Sequence, residues 1–102
     1  MPEMYGTVAR LRVKLGQVAK VQEDMKQYEQ LKIPGFVGTT VYRMDRDPNE
    51  LYLTVVFKDK ASYTANAKDP RQDERFRKLR ASLVADPEWH DGEVIWSETA
   101  KP

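Results

Sequence analysis

The chain has 102 residues, enough for one compact domain and too few for a two-domain enzyme. Seventeen Lys and Arg against sixteen Asp and Glu leave a net charge of +1, so no overall field draws it to nucleic acid or to an anionic membrane. The absence of cysteine excludes disulfides, thiolate zinc sites, iron–sulfur clusters and Cys nucleophiles together.

Apolar runs such as Val55-Val56-Phe57 fall far short of the ~20 residues of a membrane span, and no signal-type apolar block follows Met1. A soluble, cytoplasmic protein is expected. No linker, low-complexity tract or repeat interrupts the sequence, so residues 1–102 read as a single domain.

From Met4 to Lys14, Tyr5, Thr7, Ala9, Leu11 and Val13 alternate with a face carrying Arg10, Arg12 and Lys14, the pattern of a half-buried strand. After Gly16, Val18, Val21, Met25, Tyr28 and Leu31 recur at steps of three and four, which predicts an amphipathic helix of about four turns. Ile33-Pro34-Gly35 ends it. Phe36 to Met44 and Leu51 to Lys58 are rich in β-branched and aromatic residues and flank the polar turn Asp45-Arg46-Asp47-Pro48-Asn49, so they form an antiparallel hairpin.

Asp59 caps a short helix through about Ala67, and Asp69-Pro70-Arg71-Gln72 opens another with an N-cap, a first-turn Pro and a Gln at the third position. The inner face of that helix is Phe76, Leu79 and Leu83. Asp86-Pro87 closes it, and Glu93 to Thr99 is expected as the last strand through Val94, Ile95 and Trp96.

This order predicts an α+β ferredoxin-like sandwich, βαββαβ, with helices on one face of a four-stranded antiparallel sheet. The opposite face would expose Val8, Tyr52, Thr54, Val56 and either Ile95 or Trp96, too apolar to stay bare. A homodimer with sheets packed face to face is expected.

The residues Gly35-Phe36, the run Val55-Val56-Phe57-Lys58-Asp59-Lys60-Ala61-Ser62-Tyr63, and Trp96 carry a resemblance over nearly the whole chain. The sequence resembles the antibiotic biosynthesis monooxygenase-like (ABM) group of the dimeric α/β-barrel superfamily. That resemblance implies a ligand cavity between helices and sheet in each protomer. It brings in cofactor-independent oxygenases of aromatic polyketides, haem-opening enzymes and members of unknown role. Haem-opening members use a first-strand Asn, a middle-helix Trp and a last-helix His; here those positions look like Ala9 and Asn66, and 71–80 holds no His. Haem degradation is therefore not implied. The quinone-forming members share residue types with Asn66 and Tyr63 without a secure positional match.

Asn66 follows Tyr63 by three residues, so both can project from one helix face. The amide suits a substrate carbonyl or phenol, and the tyrosine can hydrogen-bond or stack; a core Tyr63 beside a surface or C-cap Asn66 explains the same pair. His90, the only imidazole, lies in Glu88-Trp89-His90-Asp91-Gly92 and can act as a general base. No partner of defined geometry is supplied, and it reads as a loop residue unless that loop folds over the cavity. A single His also makes a poor metal site.

If a cavity exists, Asn66, Tyr63 and His90 are the candidate catalytic residues, with Thr7, Phe76 and Trp96 as ligand-binding walls. It is expected where the helix pieces diverge at Asp69-Pro70, between the short helix, the last helix and the sheet.

Arg71, Arg75, Arg77, Lys78 and Arg80 cluster on the last helix. Asp73 and Glu74 precede Arg77 and Lys78 by four residues, which favours a solvated, salt-bridged face over a nucleic-acid site. No metal, flavin or haem is expected to be tightly bound, for want of cysteine, a second His and a phosphate loop. Two functions fit: a small cofactor-independent monooxygenase of an aromatic or apolar molecule, or a non-catalytic dimeric module that binds a small hydrophobic ligand or modulates a partner.

Overall fold

The computed structural model describes residues 3–100. In chain order it contains β1 (Tyr5–Arg12), α1 (Val18–Glu29), β2 (Phe36–Arg43), β3 (Glu50–Phe57), α2 (Lys60–Ala67), α3 (Pro70–Ala81) and β4 (Glu88–Glu93). The strands form one sheet in the order β2-β3-β1-β4, every neighbouring pair antiparallel. This is the ferredoxin-like α+β fold that the element order predicts.

Strand alternation divides the sheet into two faces. Ala9 opposite Leu53 and Leu11 opposite Leu51 face the helices and join Val13, Val18, Val21 and Leu83 in the buried core. Val8 opposite Thr54 and Arg10 opposite Tyr52 face away from the helices. Gly6 sits where the sheet is tightest: a Cβ there would lie 1.7 Å from the Val55 carbonyl oxygen, so no larger residue fits between β1 and β3.

Asp59 caps α2 by accepting from the Ser62 amide at 2.8 Å, and Asp69 caps α3 by accepting from the Arg71 amide at 2.9 Å. Each satisfies a donor that the first helical turn leaves unpaired. Gln72 does not return a bond to the cap; its side chain accepts from Arg75 instead.

Three expectations are corrected. The final strand is Glu88–Glu93, not 93–99, so His90 is a strand residue and Ile95 and Trp96 follow the strand, 88 % and 80 % exposed. Leu31 lies beyond α1 and is exposed, so the helix has about three turns. Leu83 is fully buried but lies past α3, bridged to Val13. Propensity favoured Val94-Ile95-Trp96 as a strand, but hydrogen bonding to β1 selects the polar run before it, and an edge strand has room for polar side chains on both faces.

Candidate functional site

Short residues on α2 create a cleft. Ala61, Ser62, Ala65 and Asn66 form one stripe of the helix, and opposite them the segment Leu31–Pro34 connects α1 to β2. The small side chains leave an open space of about 570 Å³ between the two segments, closed at one end by Asp69, Arg71 and Arg75. Gly35 permits the close approach: its φ is 81°, and a Cβ would come within 2.5 Å of the Ser62 side chain. Lys32, on the cleft wall, has a φ of 47°, a left-handed backbone that costs a non-glycine residue free energy and persists only where its surroundings hold it.

Asn66 is fixed from both sides. Its Nδ2 donates to the Tyr28 hydroxyl at 3.2 Å, and its Oδ1 accepts from Arg75 Nη2 at 3.4 Å. The amide keeps a second N–H and a second carbonyl lone pair for a ligand. Arg75 also donates through Nε to Gln72 Oε1 at 3.0 Å, and its guanidinium lies 5.3 Å from the centre of the Tyr28 ring. Burial raises the Tyr28 phenol above its usual range, opposed by the Asn66 bond and by Arg75. Arg71 grips Asp69 through Nε and Nη2, and this pairing holds the carboxyl at about 2.

Tyr63 projects elsewhere. It packs edge-on against Tyr5 and Phe57, with ring centres 5.2 and 5.7 Å away, and its hydroxyl donates to Asp91 at 2.8 Å. Burial, reinforced by the Asp91 carboxylate, pushes the phenol up to about 12. The Thr7 hydroxyl lies close enough to oppose part of that shift, but not in a geometry that makes a hydrogen bond. Its buried oxygen has no partner among the described residues. Phe76 of α3 lies with its ring 6.3 Å from that of Trp89.

The six sequence candidates therefore separate. Tyr63 and Thr7 meet at the inner face, Phe76 meets Trp89 rather than Trp96, and Asn66 belongs to the cleft. His90 pairs with Val8 on the outer face and lines a shallow depression of about 200 Å³ with Gly6, Thr54, Val56 and Gly92. Sequence reasoning missed Asp91 and Arg75. Asp91 follows the only histidine, but its inward orientation depends on the register of β4. Arg75 lacked an acidic residue four positions before it, the one sign that set it apart from Arg77 and Lys78.

At the other end of the outer face, Glu50 is 2 % exposed and accepts from Arg10 Nε at 2.6 Å and from Arg46 at 2.9 and 3.0 Å. Arg10 also reaches Glu88 at 2.6 Å. Arg46 and then Arg10 hold the Glu50 carboxyl at about 2. Among the described residues no three His, Cys, Asp or Glu side chains converge as a metal site, and no helix is long and apolar enough to cross a membrane.

The family model described as antibiotic biosynthesis monooxygenase matches residues 4–78. No curated protein matches the sequence. Among solved structures, a conserved protein from Methanosarcina mazei superposes with a TM-score of 0.76 at 24 % identity, over 88 % of this chain and 91 % of that one. SnoaB from Streptomyces nogalater, a cofactor-independent oxygenase solved as a variant, gives 0.80 at 18 % over 93 % and 96 %. A protein of unknown function from Nitrosomonas europaea gives 0.76 at 16 % over 98 % and 97 %.

Proposed function

From its membership of the antibiotic biosynthesis monooxygenase family, we propose that this chain is a cofactor-independent monooxygenase of a small aromatic molecule, bound in the cleft beside Asn66. The observation that carries the reading is the Asn66 amide, immobilised between Tyr28 and Arg75 with hydrogen-bonding capacity left over at the wall of the cleft. The oxygenase SnoaB, similar in fold, supports the choice of chemistry.

An electron-rich hydroxyarene, once ionised, gives electrons to dioxygen directly. One oxygen atom becomes a new ring carbonyl and the other leaves as water with the two hydrogens removed. The protein's part is to bind the ring against Ile33 and Pro34, exclude water from it, and stabilise the oxyanion with the free Asn66 N–H. Tyr63 positions α2: its bond to Asp91 and its ring contacts hold the helix on the sheet. His90, on the outer face, takes no part.

The bare outer face, with Val8 48 % and Tyr42 57 % exposed, is proposed as the surface that pairs two copies. A second reading, ligand binding without turnover, draws on the lack of a base at the cleft: Asp69 is held at about 2 and stays ionised in its pair with Arg71. Oxygen-electrode rates with naphthols and anthrones, using protein free of added cofactor, separate the two. Uptake proportional to protein concentration is expected; saturable binding with uptake at the protein-free rate selects the binding module.

A further inference from the structure

We propose that the cleft selects an anion, and that its ligand is an apolar ring or chain bearing a carboxylate seated on Arg75. The inference rests on the cleft being the ligand site, and not on turnover.

The charges at the cleft do not cancel. Arg71 and Asp69 neutralise each other through two hydrogen bonds between their side chains. Arg75 and Lys32 form no ion pair among the described residues, and both line the same space. The groups that hold Arg75, Gln72 Oε1, Asn66 Oδ1 and the Tyr28 ring, are all uncharged at neutral pH. They fix the guanidinium without an ion pair, and the Asp69 carboxylate that attracts it from nearby is already bonded to Arg71.

Of the five N–H donors of an arginine, these contacts use two. The three that remain lie on Nη1 and Nη2, the edge that receives both oxygens of a carboxylate in parallel bonds. Beyond this end the walls turn apolar at Leu31, Ile33, Pro34 and Ala65. A cationic end joined to an apolar trough matches a molecule with one acid group at the tip of a hydrophobic body. A neutral molecule leaves the Arg75 charge uncompensated.

The test compares 2-naphthoate with 2-naphthylmethanol, which share a ring system and differ in charge, by calorimetry and amide chemical shifts. The acid is expected to bind at least about tenfold tighter at low ionic strength, with shifts centred on Ile33, Ala65, Asn66 and Arg75. Added salt narrows the gap. Arg75→Gln abolishes the gap between acid and alcohol, and Lys32→Gln narrows it. Equal affinities, no binding of naphthoate at millimolar concentration, or shifts centred on Val8 and His90 would overturn the proposal. These outcomes are independent of oxygen uptake, so loss of this inference and loss of the oxygenase reading are told apart.

Discussion

At the scale of single residues, two tyrosines on neighbouring helices do different work. Tyr63 is set into the sheet side of α2, and its proton is held by burial and by Asp91 up to about 12, against an ordinary value of 10.0. Because the folded protein keeps that proton to higher pH than the unfolded chain, stability is complete below pH 10 and declines as pH rises towards about 12. The half-buried Tyr28 phenol, also raised, adds to the decline in the same direction. Denaturant midpoints across that window are expected to fall less steeply for Tyr63→Phe than for the native chain; identical slopes would show that the phenol is not perturbed. At the acid end Glu50 behaves oppositely. Its carboxyl is lowered from 4.5 to about 2 by Arg46 and Arg10, so its contribution is present above pH 4.5 and is lost as pH falls to about 2. Glu50→Gln, which leaves two guanidiniums without their shared carboxylate, is expected to lower the melting temperature at pH 7 and to flatten the acid limb. An unchanged acid limb contradicts this.

At the scale of elements, what the sequence reveals depends on whether burial or pairing decides the matter. The alternation of β1 is legible because one face is core: Ala9 and Leu11 are fully buried and Val13 nearly so. The caps of α2 and α3 are legible because Asp59 and Asp69 act locally on amides two and three residues away. β4 is not legible: every one of its residues is exposed in the protomer, so no apolar period marks it. Only its ladder with β1 distinguishes Glu88–Glu93 from the more strand-like Val94-Ile95-Trp96. The site was half legible for the same reason. Residue types pointed to Asn66 and Tyr63, but a three-residue spacing spreads two side chains by about 60° around a helix, enough for α1 and α3 to take one and the sheet the other. Arg75 was read as part of a solvated face, yet Asp73 and Glu74 form no ion pairs among the described residues, and the pairs at the ends of α3 run from Arg71 to Asp69 and from Arg80 to Asp86. Two substitutions probe the elements directly. Leu11→Ala, at a fully buried position near the end of β1, is expected to cost about 2–5 kcal/mol by urea titration. Gly6→Ala, with no space before the Val55 carbonyl, is expected to prevent native β1–β3 pairing, seen as loss of dispersed amide resonances; a native spectrum for Gly6→Ala would show that the two strands can separate there without cost.

At the scale of the whole molecule, the sheet has one face under helices and one without cover. The uncovered face places Val8, Tyr42 and the shallow depression at His90 beside the Arg10–Glu50–Arg46 network. Satisfied charges at one end and apolar side chains at the other suit a self-complementary contact about a two-fold axis. Sedimentation equilibrium is expected to give twice the 11.8 kDa chain mass at micromolar concentration, with Val8→Lys shifting the protein towards monomer. A single-chain mass throughout contradicts the pairing but leaves the cleft intact, since Asn66, Tyr28 and Arg75 all come from one protomer. The chemistry proposed for that cleft has an isotopic readout. Turnover of a naphthol or anthrone under isotopically labelled dioxygen, followed by mass spectrometry of product and water, measures it. One labelled atom is expected in the product and one in water, at a rate that Asn66→Ala lowers by about a hundredfold. Product formed at the protein-free rate, or at an equal rate by Asn66→Ala, would contradict it.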